Sequence, residues 1–280
     1  LLRAFAQSIA IIRRVRPGVL IGFGGYITFP GGLMGVAFGK PLVVHEQNSI
    51  AGTANKWLAQ IADRVFTAFP GVLGKGRRVQ WIGNPLRPEF LACPEPAERF
   101  RGRTGPLRVL VVGGSLGAEA LNRVVPCALA LLPEAARPHV LHQSGEKQLD
   151  TLRGHYAAAQ VRAELRAFID DMASAYAEAD LVICRAGAMT VAELAAIGAA
   201  ALFVPFPHAV DDHQTGNARY LVEHDAAWLI QERELTAESL AQFLTAVTRA
   251  QLLQCATQAK AQRKVTATAD IVAACEELVA

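Results

Sequence analysis

Aspartate and glutamate are missing from the first 45 residues, which hold Arg3, Arg13, Arg14, Arg16 and Lys40. That is a local charge of +5, so a formal net charge of +3 leaves −2 for the remaining 235 residues. The balance is too small to point to a nucleic-acid partner, and its positive part sits at one end. Cysteine pairs of the C-x-x-C type are missing too. Cys93, Cys127, Cys184, Cys255 and Cys275 are scattered, which speaks against a disulfide framework or a zinc site and fits a reducing compartment. No A-x-A-like cleavage site follows a short apolar core, so a secretory signal is not indicated. One charge-free run, residues 17–39, has the length of about 20 residues needed to cross a bilayer. It is broken by Gly22, Gly24, Gly25, Gly31, Gly32, Gly35, Gly39 and Pro30, and so reads as a buried strand, a glycine turn and a helix.

What is present is hydrophobic: 52% of the 280 residues, against 19% charged. Such a chain buries a large core and is neither disordered nor fibrous. Its length predicts two domains. Strand-like runs that are apolar on both faces alternate with helical segments, the mark of parallel strands covered by helices. The first series has strands at 19–21, 42–44, 64–67 and 79–82. A Pro- and Arg-rich stretch follows. The second series has strands at 109–112, 140–143, 164–167, 181–184, 201–204 and 227–230, and two helices, 236–249 and 265–279, close the chain. The reading is an α/β protein of two doubly wound domains: 1–84, a linker 85–106, 107–262, and a last helix, 263–280, that returns towards the first. Residues 1–5 already read as the inside of a helix, with neither Met nor cap, so the first domain is expected to be incomplete.

In such sheets ligands sit beyond the carboxyl ends of the strands. Four segments there are dense in small or polar residues. Gly113-Gly114-Ser115-Leu116-Gly117-Ala118 joins a strand to a helix, as a phosphate-binding turn or as a plain tight turn. Its spacing is not G-x-G-x-x-G, and no acidic residue ends the next strand, which disfavours a dinucleotide site. Arg185–Glu193 leads from another strand into a helix. There Thr190 and Glu193 form either a capping box or a diphosphate and sugar-hydroxyl site. The segment from His208 through Asp211, Asp212, His213 and Gln214 to Asn217 offers groups for a sugar's hydroxyls. It also admits a metal reading or simple helix capping by the aspartates. His45-Glu46-Gln47-Asn48 ends a first-domain strand, either as acid–base groups or as a loop that satisfies its own backbone.

Seven motifs then fall in one order: Gly-Gly-Tyr at 24–26, His-Glu-Gln-Asn at 45–48, Gly-Asn-Pro-Leu-Arg at 83–87, Val-Gly-Gly-Ser at 112–115, Phe-Ile-Asp-Asp-Met at 168–172, the 185–193 turn, and 207–215. In these the chain resembles glycosyltransferase family 28, the bacterial N-acetylglucosaminyltransferases that convert lipid I to lipid II in peptidoglycan synthesis. The resemblance implies a GT-B fold, two Rossmann-like domains with a cleft between them, and an inverting enzyme with no metal or other cofactor. The donor is UDP-GlcNAc, and the acceptor is lipid I at the cytoplasmic face of the plasma membrane. The role extends to cell shape and division. By the same resemblance Ile169, beside Phe168, meets the uracil and Glu193 the ribose. Ser115 and Thr190, with the backbone of Ala188, Met189, Val191 and Ala192, hold the diphosphate. Gln214 binds GlcNAc, with His213 and Arg185 nearby. Asn48 and Arg87 match donor positions, while Tyr26, His45 and Glu46 fall on the acceptor side.

The family's N-terminal glycine-rich loop, which carries a His proposed as general base, has no counterpart in this sequence. The expectation is a chain that binds the uridine half of the donor but transfers sugar poorly or not at all. Leu1, Leu2, Phe5, Ile9 and Ile12 fall near one helical face with Arg3, Arg13, Arg14 and Arg16 around it. That pattern fits an anionic membrane surface or an ordinary core helix. A UDP-GlcNAc 2-epimerase and a non-catalytic sugar-nucleotide-binding subunit are the competing functions.

Overall fold

The computed structural model describes residues 2–74, 78–114, 117–207 and 209–280. The chain divides into two compact units, residues 1–86 with 264–280, and residues 87–263.

The first unit is built on a parallel sheet of β1 (Leu20–Gly22), β2 (Leu42–Glu46), β3 (Arg64–Thr67) and β4 (Val79–Trp81), in that order. Its helices are α1 (Leu2–Val15), α2 (Thr28–Ala37), α3 (Thr53–Ile61) and the last helix of the chain, Ala267–Val279. Strand side chains alternate between faces. Val43 and Phe66 point to one face, against Ala267, Ile271 and Ala274 of the last helix. Leu42, Val44 and Val65 point to the other, against Leu58 and Ala62, with Phe29 and Val36 of α2. The glycines of the charge-free run bring α2 close to its neighbours. A Cβ at Gly35 would stand 2.7 Å from Leu20 and one at Gly32 2.9 Å from Leu58. Among the described residues no helix is long and apolar enough to cross a membrane.

The second unit holds a six-stranded parallel sheet in the order β10-β9-β8-β5-β6-β7. The strands are β5 (Arg108–Val112), β6 (His139–Gln143), β7 (Glu164–Arg166), β8 (Leu181–Cys184), β9 (Ala201–Phe203) and β10 (Trp228–Leu229). The segment read as a linker, 85–106, belongs to this unit from Arg87 onward. It forms α4 (Pro88–Leu91) and α5 (Pro96–Phe100), each with proline in its first turn, where the missing N–H costs nothing. Phe90 and Phe100 are buried.

The larger helices are α6 (Glu119–Leu131), α7 (Leu149–Ala158), α8 (Met172–Glu178), α9 (Ala188–Ile197), α10 (His213–Val222), α11 (Ala237–Ala246) and α12 (Arg249–Ala261), which makes the last helix of the chain α13. The sequence reading has no α12. Helix α11 stops three residues before the expected end, and Thr248 starts α12 with a capping box closed by Gln251. The main core packs one face of the central strands, Val109 and Val111 of β5 with Leu181 and Ile183 of β8, against α6, α7, α11 and α12, with Leu121, Leu152, Leu240 and Leu252 fully buried.

Candidate functional site

The sheet of the second unit changes direction between β5 and β8, which run side by side while their connections leave to opposite sides. A crevice at that point, at the carboxyl ends of the strands, is where such sheets bind ligands. A cavity of about 440 Å³ opens there, lined by Gly117, Ala118, Gln148, Arg185, Phe206 and Glu232 among others. A larger one, about 590 Å³, lies towards the amino ends of β5 and β6, among Arg108, His139, Leu141, Arg162 and Glu178. It touches none of the turn residues, whereas the smaller one reaches Gly117 and Ala118 of the β5 turn and Arg185 of the β8 turn.

The turn after β5 is shaped by its glycines. A Cβ at Gly113 would stand 2.7 Å from the Ala118 nitrogen. Gly117 has φ +79°, and a Cβ there would collide with the Ser144 oxygen and lie 2.8 Å from the Gln148 amide. Buried Gln143 locks the turn. Its Oε1 accepts from Gly114 N–H at 3.1 Å, and its Nε2 donates to the oxygens of Gly114 at 3.1 Å and Ala167 at 2.9 Å. The turn is thereby tied to the segment that leads to Ile169. Beneath it runs a buried chain: Tyr156 Oη to His142 Nδ1 at 3.0 Å, His142 Nε2 to Asn122 Oδ1 at 3.0 Å, and Asn122 Nδ2 donating to Gln148 Oε1 at 2.6 Å. Burial pushes the His142 imidazole down to about 3, so it is neutral. Pro126 inside α6 leaves the Asn122 carbonyl without its helical donor, and His155 Nδ1 meets it at 3.0 Å. None of Gln143, His142 or Asn122 stood out in the sequence. The polar end of an otherwise apolar strand, His142-Gln143-Ser144, was the available signal. Ser115 lies outside the described residues, as do Leu1, Leu116 and His208.

The turn after β8 corrects the capping-box reading. Gly187, not Thr190, is the N-cap of α9, so Thr190 sits inside its first turn. The helix has no side-chain cap, and the N–H groups of Met189 and Thr190 carry no partner among the described residues. Ala188, Val191 and Ala192 share this end of the helix. One turn on, half-buried Glu193 has its carboxyl pushed up to about 7 by burial. Arg87 opposes the shift and Glu89 adds to it. Arg87, just before α4, pairs with Glu89 at 3.2 Å.

The turn after β9 is held by two side chains of the candidate set. Arg185 Nη1 donates to the oxygens of Val204 at 3.0 Å and Pro205 at 3.1 Å. The same guanidinium pairs with Glu232 and lies 5.5 Å over Phe206. Gln214 Oε1 accepts from the N–H groups of Ala186 at 3.2 Å and Phe206 at 3.0 Å. Its NH2 group makes no bond among the described residues and is left to donate. His213 opens α10. Asp211 and Asp212 both have φ above +50°, a strained pair directly before it. Asp212 stands at the N-cap, but its carboxylate accepts the Thr215 hydroxyl at 2.7 Å and no backbone N–H. Among the described residues no cluster of three His, Cys, Asp or Glu could hold a metal. Between β7 and α8 Ile169 is buried, while Phe168 is exposed. Asp171 caps α8 through Ser174 N–H at 3.0 Å, which holds its carboxyl below the usual range.

In the first unit the contacts of His45 and Glu46 are those of loop anchors. His45 is fully buried. Its Nε2–H donates to Gly83 oxygen at 2.9 Å, and burial lowers its pKa. Buried Glu46 accepts from Asn48 N–H at 3.0 Å, Gly52 N–H at 3.1 Å and Asn55 Nδ2 at 2.8 Å. Asn48 is thus set by Glu46, while Tyr26 is 88% exposed. The α1 face read as either membrane-seeking or core-packing is mixed, with Leu2 exposed at its start. Ile12 is buried, and Phe5 meets Phe29 of α2 edge to face at 6.4 Å. The apolar residues that α1 turns to solvent are Leu2, Ile11 and Val15.

The chain is similar over nearly its whole length to known proteins. The family model for the C-terminal domain of glycosyltransferase family 28 matches residues 108–273, and that for its N-terminal domain matches residues 1–67. A protein of Polaromonas sp. is 63% identical over 99% of this chain and 71% of its own length. One from Paracidovorax citrulli is 62% identical over 100% of this chain and 78% of its own. Both are named UDP-N-acetylglucosamine–N-acetylmuramyl-(pentapeptide) pyrophosphoryl-undecaprenol N-acetylglucosamine transferase. The crystal structure of Acinetobacter baumannii MurG superposes with a TM-score of 0.87 at 38% identity, over 99% of this chain and 78% of that one.

Proposed function

The chain belongs to glycosyltransferase family 28, and from that premise we propose that it transfers N-acetylglucosamine from UDP-GlcNAc to the C4 hydroxyl of N-acetylmuramic acid in lipid I, giving lipid II. Its two parallel-sheet units are the Rossmann-like domains of a GT-B glycosyltransferase. The observation that carries the assignment is the β5–β8 switch point, where the glycine turn after β5 and the start of α9, which has no side-chain cap, follow the carboxyl ends of two neighbouring parallel strands.

The chemistry demands little of the protein beyond placement. The acceptor hydroxyl attacks the anomeric carbon from the face opposite UDP, so an α-linked donor yields a β(1→4) product. The C–O bond to the diphosphate breaks, and negative charge grows on its oxygens. The N–H groups of Met189 and Thr190 and the dipole of α9 supply fixed positive potential at that place, which costs no reorganisation as charge develops. The β5 turn adds to this cradle, and the family resemblance assigns Ser115 to the diphosphate as well. Glu193 accepts the ribose hydroxyls, and Arg87 beside it favours its ionised form. The backbone at Ile169 meets the uracil edge. The free amide of Gln214 donates to the sugar, while Arg185 is a positioning residue that fixes the β9 turn.

The acceptor is a membrane lipid, and the chain works as a peripheral enzyme on an anionic cytoplasmic surface. Support comes from α1, whose exposed Leu2, Ile11 and Val15 accompany exposed Arg3, Arg13 and Arg14. Basic residues near such a surface contribute roughly 1 kcal/mol each. The test is titration with UDP-GlcNAc followed by addition of lipid I. Binding that UDP displaces is the expected result, with any label that moves moving into lipid II. Failure to bind UDP-GlcNAc, or its epimerisation without acceptor, would overturn the assignment.

A further inference from the structure

A second polar cavity lies at the other end of the same sheet, and arginine dominates its walls. It has a volume of about 230 Å³ and is lined by Arg101, Arg103, Thr104, Arg108, Asp180 and Arg249. Arg108 opens β5 and Asp180 directly precedes β8, so the cavity sits at the amino ends of the two central strands. The crevice of the candidate site is at their carboxyl ends, about 17 Å away for five residues at roughly 3.3 Å each.

The charge in this cavity does not balance. Asp180 is its one carboxylate, with a wholly buried side chain. Its Oδ1 accepts from Arg103 Nη1 at 2.7 Å, and its Oδ2 from Arg249 Nη2 at 3.1 Å and Arg108 N–H at 2.9 Å. Burial alone would raise this carboxyl, but the three donors hold it below the ordinary range, so it carries its full charge. Four guanidiniums against one carboxylate leave three positive charges over.

The donors are not used up either. Arg249 Nε is buried with no acceptor. The side chains of Arg101 and Arg108 make no hydrogen bond or ion pair among the described residues. Arg103 and Arg249 are meanwhile fixed. Arg103 Nη2 donates to Ala177 oxygen at 2.9 Å, and Arg249 Nη2 to the oxygens of Gly105 at 3.2 Å and Pro106 at 3.1 Å. Arg249 is also the first residue of the 13-residue α12, where the helix start adds partial positive charge. Two rigid guanidiniums flanked by two uncommitted ones make a preorganised receptor for a planar or tetrahedral oxyanion.

We propose that this cavity is a second anion site, separate from the nucleotide crevice, and that it takes a phosphate-class ligand: a diphosphate, a phosphomonoester or a phospholipid headgroup. Its size admits one such group and no nucleoside, since drug-sized ligands need roughly 300 Å³ or more. No aromatic side chain lines it, so a base has nothing to stack on.

The test uses the whole chain saturated with UDP, titrated with inorganic pyrophosphate at constant ionic strength. The comparison is Arg101→Ala combined with Arg108→Ala. These side chains hold nothing in place, so the variant keeps the unliganded Tm and the UDP affinity of the parent. One saturable pyrophosphate site in the parent, weakened about tenfold or more in the variant, is the expected result. Co-sedimentation with phosphatidic acid vesicles separates the sources. Pelleting that needs the two arginines identifies a lipid headgroup. Pyrophosphate binding without such pelleting identifies a soluble phosphate. No saturable binding to the UDP-saturated chain, or equal binding by the variant, would overturn the proposal.

Discussion

Raising the pH from 6 to 8 should tighten UDP-GlcNAc binding about tenfold, and Glu193 should be the reason. Burial pushes its carboxyl up to about 7, against the pull of Arg87. With that value roughly one molecule in eleven is ionised at pH 6 and ten in eleven at pH 8. A carboxylate accepts both ribose hydroxyls, whereas a carboxylic acid must give up one acceptor position to its own proton. Affinity should therefore follow the ionised fraction, a change of about 1.4 kcal/mol. UDP-GlcNAc suits the measurement because both its phosphates are esterified and neither titrates in this range. Glu193→Gln should bind with no pH dependence and, at pH 8, about 10- to 100-fold more weakly, the value of hydrogen bonds to a charged group.

The same titration acts on the free protein with the opposite sign. The folded value lies above the ordinary 4.5, so this group's contribution to stability is complete below 4.5 and is lost as the pH rises through about 7. The rise in Tm on adding UDP-GlcNAc should therefore grow with pH while the unliganded Tm falls. Calorimetry at five pH values decides. An affinity that stays flat between pH 6 and 8, or a slope that survives in Glu193→Gln, would refute the reasoning.

Other expectations follow from single contacts. Gly117→Ala forces a Cβ against the Ser144 oxygen at φ +79°, and should cost about 3 kcal/mol or more in urea denaturation. Gly114→Ala, at φ +80° with nothing within 4 Å, should cost only about 1–2 kcal/mol. Arg99 donates to the oxygens of Ala177 and Ile197, each at 3.1 Å, and to that of Gly198 at the end of α9. Arg99→Ala should lose about 2–3 kcal/mol by the same assay, and Lys should not restore it. Replacing the exposed Ile11 and Val15 together by Ser should reduce pelleting with phosphatidylglycerol vesicles several-fold without moving Tm. Unchanged pelleting would remove α1 from the membrane contact.

The alternation of apolar runs was enough to read both parallel sheets, because strands buried on two faces leave an unbroken apolar signature. Helix ends were less legible. Pro88 and Pro96 read as linker residues although proline also starts helices, and only the packing of Phe90 and Phe100 decides between the two. The break before α12 was written in Thr248 and Gln251, but the apolar period runs through it. The small residues of the β5 and β8 turns were visible as candidate sites. Gln143 was not, because its role depends on Gly114 and Ala167, distant in sequence and brought together by β6 and β7. Periodicity also could not tell which neighbour an apolar helix face meets. Phe5 and Ile12 suited a membrane as well as they suit α2.

A structure of the chain with UDP bound tests the central claim most directly. The account predicts the diphosphate against the N–H groups of Met189 and Thr190, with the ribose hydroxyls on Glu193. A nucleotide seated elsewhere, such as in the 590 Å³ cavity beside Arg162, would contradict it.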